Sequence, residues 1–304
     1  MGALLLGATG LIALLGPTAP GGKSTLEHLA PATLEPRASS VTLPDSSLGF
    51  AWARHGSTLA FVVKPVATGQ PIRIADAGKL HTRKVVPVGD RDVCGLTFDH
   101  GDLVAITADQ PCYWKGGQFN LIRYDSRTWR ARQTMPLPTI RSVFPTNLAF
   151  GDGQAFVARA GAGLDAIDLR TGVVARHHPS RSLSKGEGIV WTRWLGAHDV
   201  SMGAAVVDTR TWRSRILDPT ARGVAPAGAD LVAFGPRGIK VFTRSGRYRY
   251  GVLTNIDVGV VHVYGRYLYA AEGSSTLAHV VDLKTRRETP TSAGANLVWS
   301  LLVP

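Results

Sequence analysis

The sequence predicts an all-β fold of repeated four-stranded units, and a recurring turn and the spacing of its copies indicate this. The turn starts with Asp and has Arg or Lys two residues later and Thr three residues later. Its copies begin at Asp125, Asp168, Asp208 and Asp282, at intervals of 43, 40 and 74 residues. The last interval is about two units of ~40 residues, the length of one β-propeller blade. We therefore predict a single β-propeller of six to seven four-stranded antiparallel blades.

Composition supports one large packed domain. Hydrophobic residues make up 44% and charged residues 18% of the 304 residues, which is typical of globular and not of disordered chains. The 34 Gly and 18 Pro are scattered, as expected where many short strands are separated by turns. All-β folds often use a chain of this length as one domain.

The N-terminal residues 1–19 are almost wholly apolar. The run is shorter than the ~20 residues of a membrane helix and resembles the apolar region of a secretory signal. No Lys or Arg precedes it, and Pro20 follows the best small-residue cleavage site, so a cleaved signal-like leader and an uncleaved anchor both stay open. This leader predicts an extracytoplasmic or secreted protein.

Residues 20–46 are rich in Pro, Ala, Ser and Thr and indicate a linker, with Ser40–Leu43 as a closing strand. The propeller is expected over residues 47–304. A blade buries its faces only against neighbouring blades, so the ring must close. We expect the C-terminal strand Leu297–Leu302 to join strands from residues 24–46 in one shared blade.

The predicted blades follow in order along the chain. The third is the clearest, because four short apolar runs are each bounded by Gly or Asp turns. The fourth, at about residues 185–218, is the least regular. The strands of the third blade are predicted at Asn147–Phe150, Gln154–Ala158, Leu164–Asp168 and Val173–Arg176.

The formal charge of +12 and the isoelectric point near 10.1 favour anionic partners. Many arginines directly follow the repeated turn, on what should be the outer strand of each blade. That placement spreads charge around a solvated rim, while binding of an anionic polymer stays an alternative. These arginines are Arg130, Arg132, Arg213, Arg215, Arg247, Arg249, Arg286 and Arg287.

The two cysteines, Cys94 and Cys112, fall within one predicted blade. An even number of cysteines in a protein with an export-like leader indicates a disulfide, with two buried thiols as the alternative.

The motifs that would indicate cofactor binding, metal binding or catalysis are incomplete or missing in the sequence. Gly22-Lys23-Ser24 lacks the glycine that a phosphate-binding loop needs at position 17. The histidines are dispersed without metal-ligand spacing, and no Gly-x-Ser-x-Gly motif marks a nucleophile. We therefore predict no metal, no cofactor and no catalytic residue. The carboxylates Asp99, Asp102, Asp152 and Asp230 are explained by turn propensity, with a Ca²⁺ ring as the alternative.

Four residues are the candidate ligand-binding residues. His55 and His100 occupy equivalent turns of consecutive blades and are expected at one mouth of the ring. Trp191 and Trp194 lie in the irregular fourth blade, where they are predicted to form an exposed stacking platform for a sugar or peptide.

Two stretches carry a resemblance to known propellers. Ala51–Phe61 resembles the W-S-P-D-G-x-x-L-A-F turn of TolB-type and WD-repeat-like propellers, with Ala53, Arg54 and His55 in place of Ser, Pro and Asp. Ile167–Val174 resembles the strand-turn-strand of YVTN and quinoprotein-like propellers. The resemblance covers most of residues 47–290 and implies the fold. Members of these groups mostly bind or scaffold, and a minority are hydrolases, lyases or dehydrogenases.

These observations predict an exported, non-catalytic binding module for a protein or cell-envelope ligand. The rival is a hydrolase or lyase with its site at the central channel, where carboxylates and histidines from several blades would meet. The third interpretation is a binder of anionic polymer, whose affinity would fall steeply with salt.

Overall fold

A computed structural model describes most of the chain and shows an all-β protein. The described residues are 11–15, 23, 25–43, 51–62, 69–114, 116–143, 146–159, 163–178, 191–272, 278–289 and 300–302. Their strands form seven four-stranded antiparallel sheets, and they contain no α-helix. The sheets are the blades of a β-propeller, as the sequence predicted, and the number of blades is seven.

The strands are numbered in chain order, and each of blades 1 to 6 is one continuous run of four. Blade 1 is β4–β7, blade 2 is β8–β11, blade 3 is β12–β15, blade 4 is β16–β19, blade 5 is β20–β23 and blade 6 is β24–β27. Their bounds are β4 Ala51–His55, β5 Thr58–Val62, β6 Ile72–Asp76, β7 Thr82–Val86, β8 Asp92–Asp99, β9 Asp102–Ala108, β10 Phe119–Tyr124, β11 Ala131–Pro136, β12 Leu148–Gly151, β13 Gln154–Arg159, β14 Gly163–Asp168, β15 Val174–His177, β16 Thr192–Gly196, β17 Asp199–Met202, β18 Ala205–Asp208, β19 Ser214–Ile216, β20 Gly223–Ala227, β21 Asp230–Gly235, β22 Gly238–Thr243, β23 Tyr248–Val252, β24 Val258–Tyr264, β25 Tyr267–Glu272, β26 Ala278–Asp282 and β27 Arg287–Thr289.

The closing blade joins the two ends of the described chain, as predicted. Its order is β28-β1-β2-β3, with bounds β1 Leu11–Leu15, β2 Thr25–Leu29, β3 Pro36–Thr42 and β28 Ser300–Leu302. The strands β2 and β3 fall within the expected closing segment.

The strand β1 was not expected in the closing blade, because it lies within the predicted leader. It pairs with β2 on one side and β28 on the other, and Leu11, Ile12 and Ala13 are buried. An interior strand covered on both faces is apolar at consecutive positions, so the sequence pattern resembles that of a leader. The remaining parts of the predicted leader and linker, at residues 1–10, 16–22, 24 and 44–46, lie outside the described residues.

The antiparallel order gives the ring two distinct faces. In blades 1 to 6, the turns between the first and second strands, and between the third and fourth, lie at the same end. We call this end the turn face; it carries His55, His100 and the repeated Asp turns. The opposite end, the loop face, carries the connections between blades and between second and third strands.

The repeated turn has the predicted hydrogen bonds. The Oδ1 atom of Asp125 accepts the N–H groups of Arg127 and Thr128, each at 2.8 Å, and the equivalent bonds recur at Asp168, Asp208 and Asp282. The bond from Thr128 contributes most to holding the pKa of Asp125 below its usual value. These turns fix the spacing of the two outermost strands in blades 2, 3, 4 and 6.

Candidate functional site

The two predicted histidines lie on the turn face of blades 1 and 2. His55 is exposed, with its ring centroid 5.6 Å from that of Phe98. The His100 side chain is 91% exposed, and its Nε2 atom is 3.8 Å from Asp99 Oδ1. Their assignment to a ligand site stays a prediction.

The two predicted tryptophans pack between blades. The Trp194 indole stacks on Phe156, with ring centroids 5.7 Å apart and 3° between the ring planes. Trp191 meets Phe234 edge to face, with ring centroids 6.1 Å apart. Phe156 belongs to blade 3 and Phe234 to blade 5, so the tryptophans of blade 4 contact opposite neighbours. This packing accounts for both rings.

The four predicted residues do not form one cluster. Trp191 immediately precedes β16, at the loop face, whereas His55 and His100 lie in turns at the opposite face. A ligand that contacts both pairs would have to span the height of the ring.

Two exposed aromatic side chains that the sequence interpretation did not single out stand on the loop face. Tyr113 and Trp114 are 49% and 53% exposed, and they lie between β9 and β10 of blade 2. Their ring centroids are 6.4 Å apart and their planes nearly perpendicular, at 83°. Aromatic rings that stay in water are available to a partner. We call the described residues 109–114 and 116–118, which include this pair, the aromatic loop.

The predicted disulfide anchors the aromatic loop. Cys112, directly before Tyr113, is bonded to Cys94, and their Cα atoms are 5.5 Å apart. Cys94 is an extra residue in β8, because Val93 pairs with Thr107 whereas Gly95 pairs with the adjacent Ile106. Such a bulge re-aims a side chain off the ladder, and here the bulged residue is the one that reaches the loop.

Hydrogen bonds, in addition to the disulfide, fix the backbone of the aromatic loop. The N–H of Cys112 donates to Asp92 Oδ2 at 3.0 Å, and its carbonyl accepts the N–H of Val143 at 2.7 Å. At the base of the loop, the N–H of Gln118 donates to Asp109 Oδ1 at 2.7 Å. The aromatic pair is therefore carried by a fixed backbone, and binding would order little of it.

The inner strands place a cation and an imidazole together. Arg193 of β16 donates from Nη1 to the carbonyl of Val261 in β24, and its guanidinium lies 5.7 Å from the centre of the Trp191 ring. Burial lowers the pKa of Arg193 to about 10. Burial, followed by the charge of Arg193, lowers the pKa of His262 to about 3, so this histidine is neutral. A neutral imidazole beside a buried cation is a poor general base.

Among the described residues of the turn face, a histidine and a carboxylate meet between blades 3 and 4. His198 Nδ1 lies 2.6 Å from Asp152 Oδ2, and Arg210 contacts Nε2 of the same ring. Because both ring nitrogens have protein partners, the imidazole is engaged in the contact between blades 3 and 4.

Among the described residues, no group of three or more His, Cys, Asp or Glu is placed to hold a metal ion.

Ion pairs account for several of the rim arginines. In three blades the first residue of the second strand is an Asp that pairs with an Arg at the second position of the outer strand. Nitrogen–oxygen distances are 3.0–3.3 Å, and the pairs are Asp102–Arg132, Asp199–Arg215 and Asp230–Arg249. Three of the four carboxylates considered for a Ca²⁺ ring, Asp99, Asp102 and Asp230, have an arginine partner. No helix in the described part of the chain is long and apolar enough to cross a membrane.

Comparisons with known proteins identify the fold. No protein family and no curated protein sequence matches this chain. Among solved structures, the computationally designed protein Ika8 is similar, at 15% identity and a TM-score of 0.58 over 86% of this chain and 79% of its own. The β-propeller domain of Cps50 (Swd1) from Myceliophteria thermophila is similar at 13% identity and a TM-score of 0.55, over 80% and 85% of the two chains.

A third similar structure is BamB from Moraxella catarrhalis, at 15% identity and a TM-score of 0.48, over 88% of this chain and 81% of that one. In all, 856 chains of solved structures match. A fold shared so widely does not specify a function, so the function must be argued from the site.

Proposed function

We propose that this protein is a non-catalytic binding module that engages a protein partner through the aromatic loop on the loop face of blade 2. The observation that carries the proposal is the exposure of Tyr113 and Trp114 on a disulfide-anchored loop. Tyr and Trp are enriched among the residues that dominate binding energy at protein interfaces, since each combines a large apolar area with a polar group.

The anchoring supports a role in binding. A loop that only connects two strands needs neither a covalent bridge nor exposed aromatic rings. Here the bridge ends at Cys112, one residue before Tyr113. Holding the rings in place before contact reduces the entropy lost on association.

The proposal includes an oxidising compartment outside the cytoplasm. Structural disulfides form and persist in such compartments and are rare in the reducing cytosol. In that setting the partner is a secreted or cell-envelope protein.

Site-specific photo-cross-linking tests the proposal. A photoreactive phenylalanine analogue replaces Tyr113, and in a control protein it replaces Tyr248, which is 55% exposed and also contacts one aromatic neighbour, Phe242. We expect a discrete protein adduct at position 113 in the producing cells and none at position 248.

The identified partner is then purified and titrated against the variants Trp114→Ala and Tyr248→Ala. Truncating a central aromatic residue of an interface costs ~2 kcal/mol or more, so Trp114→Ala should weaken binding about 30-fold. The Tyr248→Ala variant should bind like the unaltered protein. Absence of an adduct at 113, or equal affinity of the two variants, would refute the proposed site.

A further inference from the structure

A groove runs along the outer rim between blades 1 and 2. Its cavity volume is about 500 Å³, within the range of ligand-binding clefts. One wall is the outer strand β7 with the residues that follow it, and the other is formed by β10, β11 and the turn between them. Buried side chains make the floor apolar, among them Val86, Ile122 and Tyr124.

The charge of the groove is positive and uncompensated. Of the described residues that line it, Lys84, Arg91 and Arg130 are cationic and none is a carboxylate. In the described chain none of these three side chains has an ion-pair partner, in contrast to the paired rim arginines Arg132 and Arg215. The Nη1 atom of Arg91 is buried and has no hydrogen-bond partner within the described residues. A buried donor without an acceptor is costly, and carboxylates are strong acceptors for a guanidinium.

The strand β7 offers an open edge to the groove. It is the last strand of its blade and pairs with β6 on one side. In an antiparallel strand, alternate residues direct their N–H and C=O groups away from the neighbour. The consecutive residues from Lys84 to Val88 all line the groove, so the groove follows this edge and not one face of the strand.

We infer that this groove binds an extended acidic peptide segment of a partner protein, which adds to blade 1 as a fifth strand along β7. The peptide backbone pairs with the free edge, as in β-strand addition. Lys84 and Val86 lie two residues apart and so share one face of β7. The side chains on the same face of the added strand therefore meet both the apolar floor and the cations, and this face carries apolar residues and carboxylates in turn. The apolar floor favours a peptide over a polyanion such as nucleic acid, which would leave those side chains without contacts.

A direct binding assay tests the inference with a defined probe. The probe is a fluorescein-labelled peptide that repeats Val-Ser-Glu-Ser, so that Val and Glu follow one another on one face of the strand. Its binding to the full chain is followed by fluorescence polarisation. Two altered probes have Gln in place of Glu, or N-methyl groups at alternate backbone positions. We expect the unaltered probe to bind and both altered probes to bind at least about tenfold more weakly, since charge and strand pairing are each required.

Protein variants identify the site. Arg91→Gln and the exposed-site variant Lys84→Gln should each weaken binding of the unaltered probe, Arg91→Gln by about tenfold or more. Arg247→Gln is the matched control, because it removes an exposed arginine of the outer turn of blade 5 that has no ion pair with any described residue. This variant should bind like the unaltered protein.

Three results would overturn the inference. They are equal binding of the N-methylated probe, equal losses in Arg91→Gln and Arg247→Gln, and displacement of bound probe by heparin or single-stranded DNA at lower concentration than by unlabelled peptide. The inference stands apart from the proposed function of the aromatic loop. The Trp114→Ala variant should bind the probe normally, so either site can fail without the other.

Discussion

Breaking the disulfide between Cys94 and Cys112 should both destabilise the propeller and weaken partner binding. The bridge joins residues 18 apart in sequence, and a closed loop of that length stabilises the folded state by about 3 kcal/mol in the chain-entropy account. For 304 residues the unfolding entropy is about 0.6 kcal/mol/K. The melting temperature should therefore fall by about 5 °C on reduction.

The assay compares oxidised and reduced protein, together with the double variant Cys94→Ala and Cys112→Ala in both conditions. Thermal unfolding is followed by tryptophan fluorescence, and partner affinity is measured by titration at a temperature well below unfolding. The reductant should change the unaltered protein and leave the variant unaffected. A shift below about 1 °C, with unchanged partner affinity, would refute the argument that the bridge holds the aromatic loop.

Three further predictions follow from the packing of the ring. Deleting residues 1–19 removes β1, Leu11–Leu15, which pairs with both β2 and β28, so circular dichroism should show loss of the cooperative melting transition; a transition matching the full chain would contradict the closing blade. Gly151→Ala would place a Cβ 2.1 Å from the Trp194 ring, and chemical unfolding should show a loss of about 1–3 kcal/mol; an unchanged midpoint would mean that the ring does not pack there. His262 is held neutral by burial, with a pKa of about 3 against 6.5 normally, so the unfolded chain binds the extra proton and stability should fall as pH drops from 6.5 towards 3. The His262→Gln variant should show a flatter pH dependence of the unfolding free energy, and an equal slope in both proteins would refute this assignment.

The fold could be predicted because the turns that separate its strands have local sequence signals. An Asp that caps its own turn leaves a signature within five residues, and the spacing between signatures gives the blade. The strand β1 could not be assigned in the same way. Its in-sheet partner β28 lies nearly the whole chain length away, and its faces are buried in clusters with Leu59 of blade 1 and Tyr269 of blade 6. An apolar run without alternation reveals none of these partners.

The candidate site was harder to predict because exposure of an aromatic residue depends on distant neighbours. Trp194 is covered by Phe156 of another blade, whereas Trp114 stays exposed, and nothing adjacent in sequence separates the two cases. The available sequence signal for the aromatic loop was Cys112, since a predicted disulfide indicates a loop whose backbone is held in place. The unpaired cations of the rim groove needed the structure as well, because Arg130 and Arg132 lie two residues apart and of the two only Arg132 has an ion-pair partner in the described chain.

The most direct measurement is a cross-linking map of the two faces of the ring. One photoreactive residue is placed at a time at Tyr113 on the loop face, at His100 on the turn face and at Tyr248 in the outer strand of blade 5. We predict a single protein adduct that forms from position 113. An adduct that forms from position 100 and not from 113 would contradict it and would move the binding surface to the opposite face.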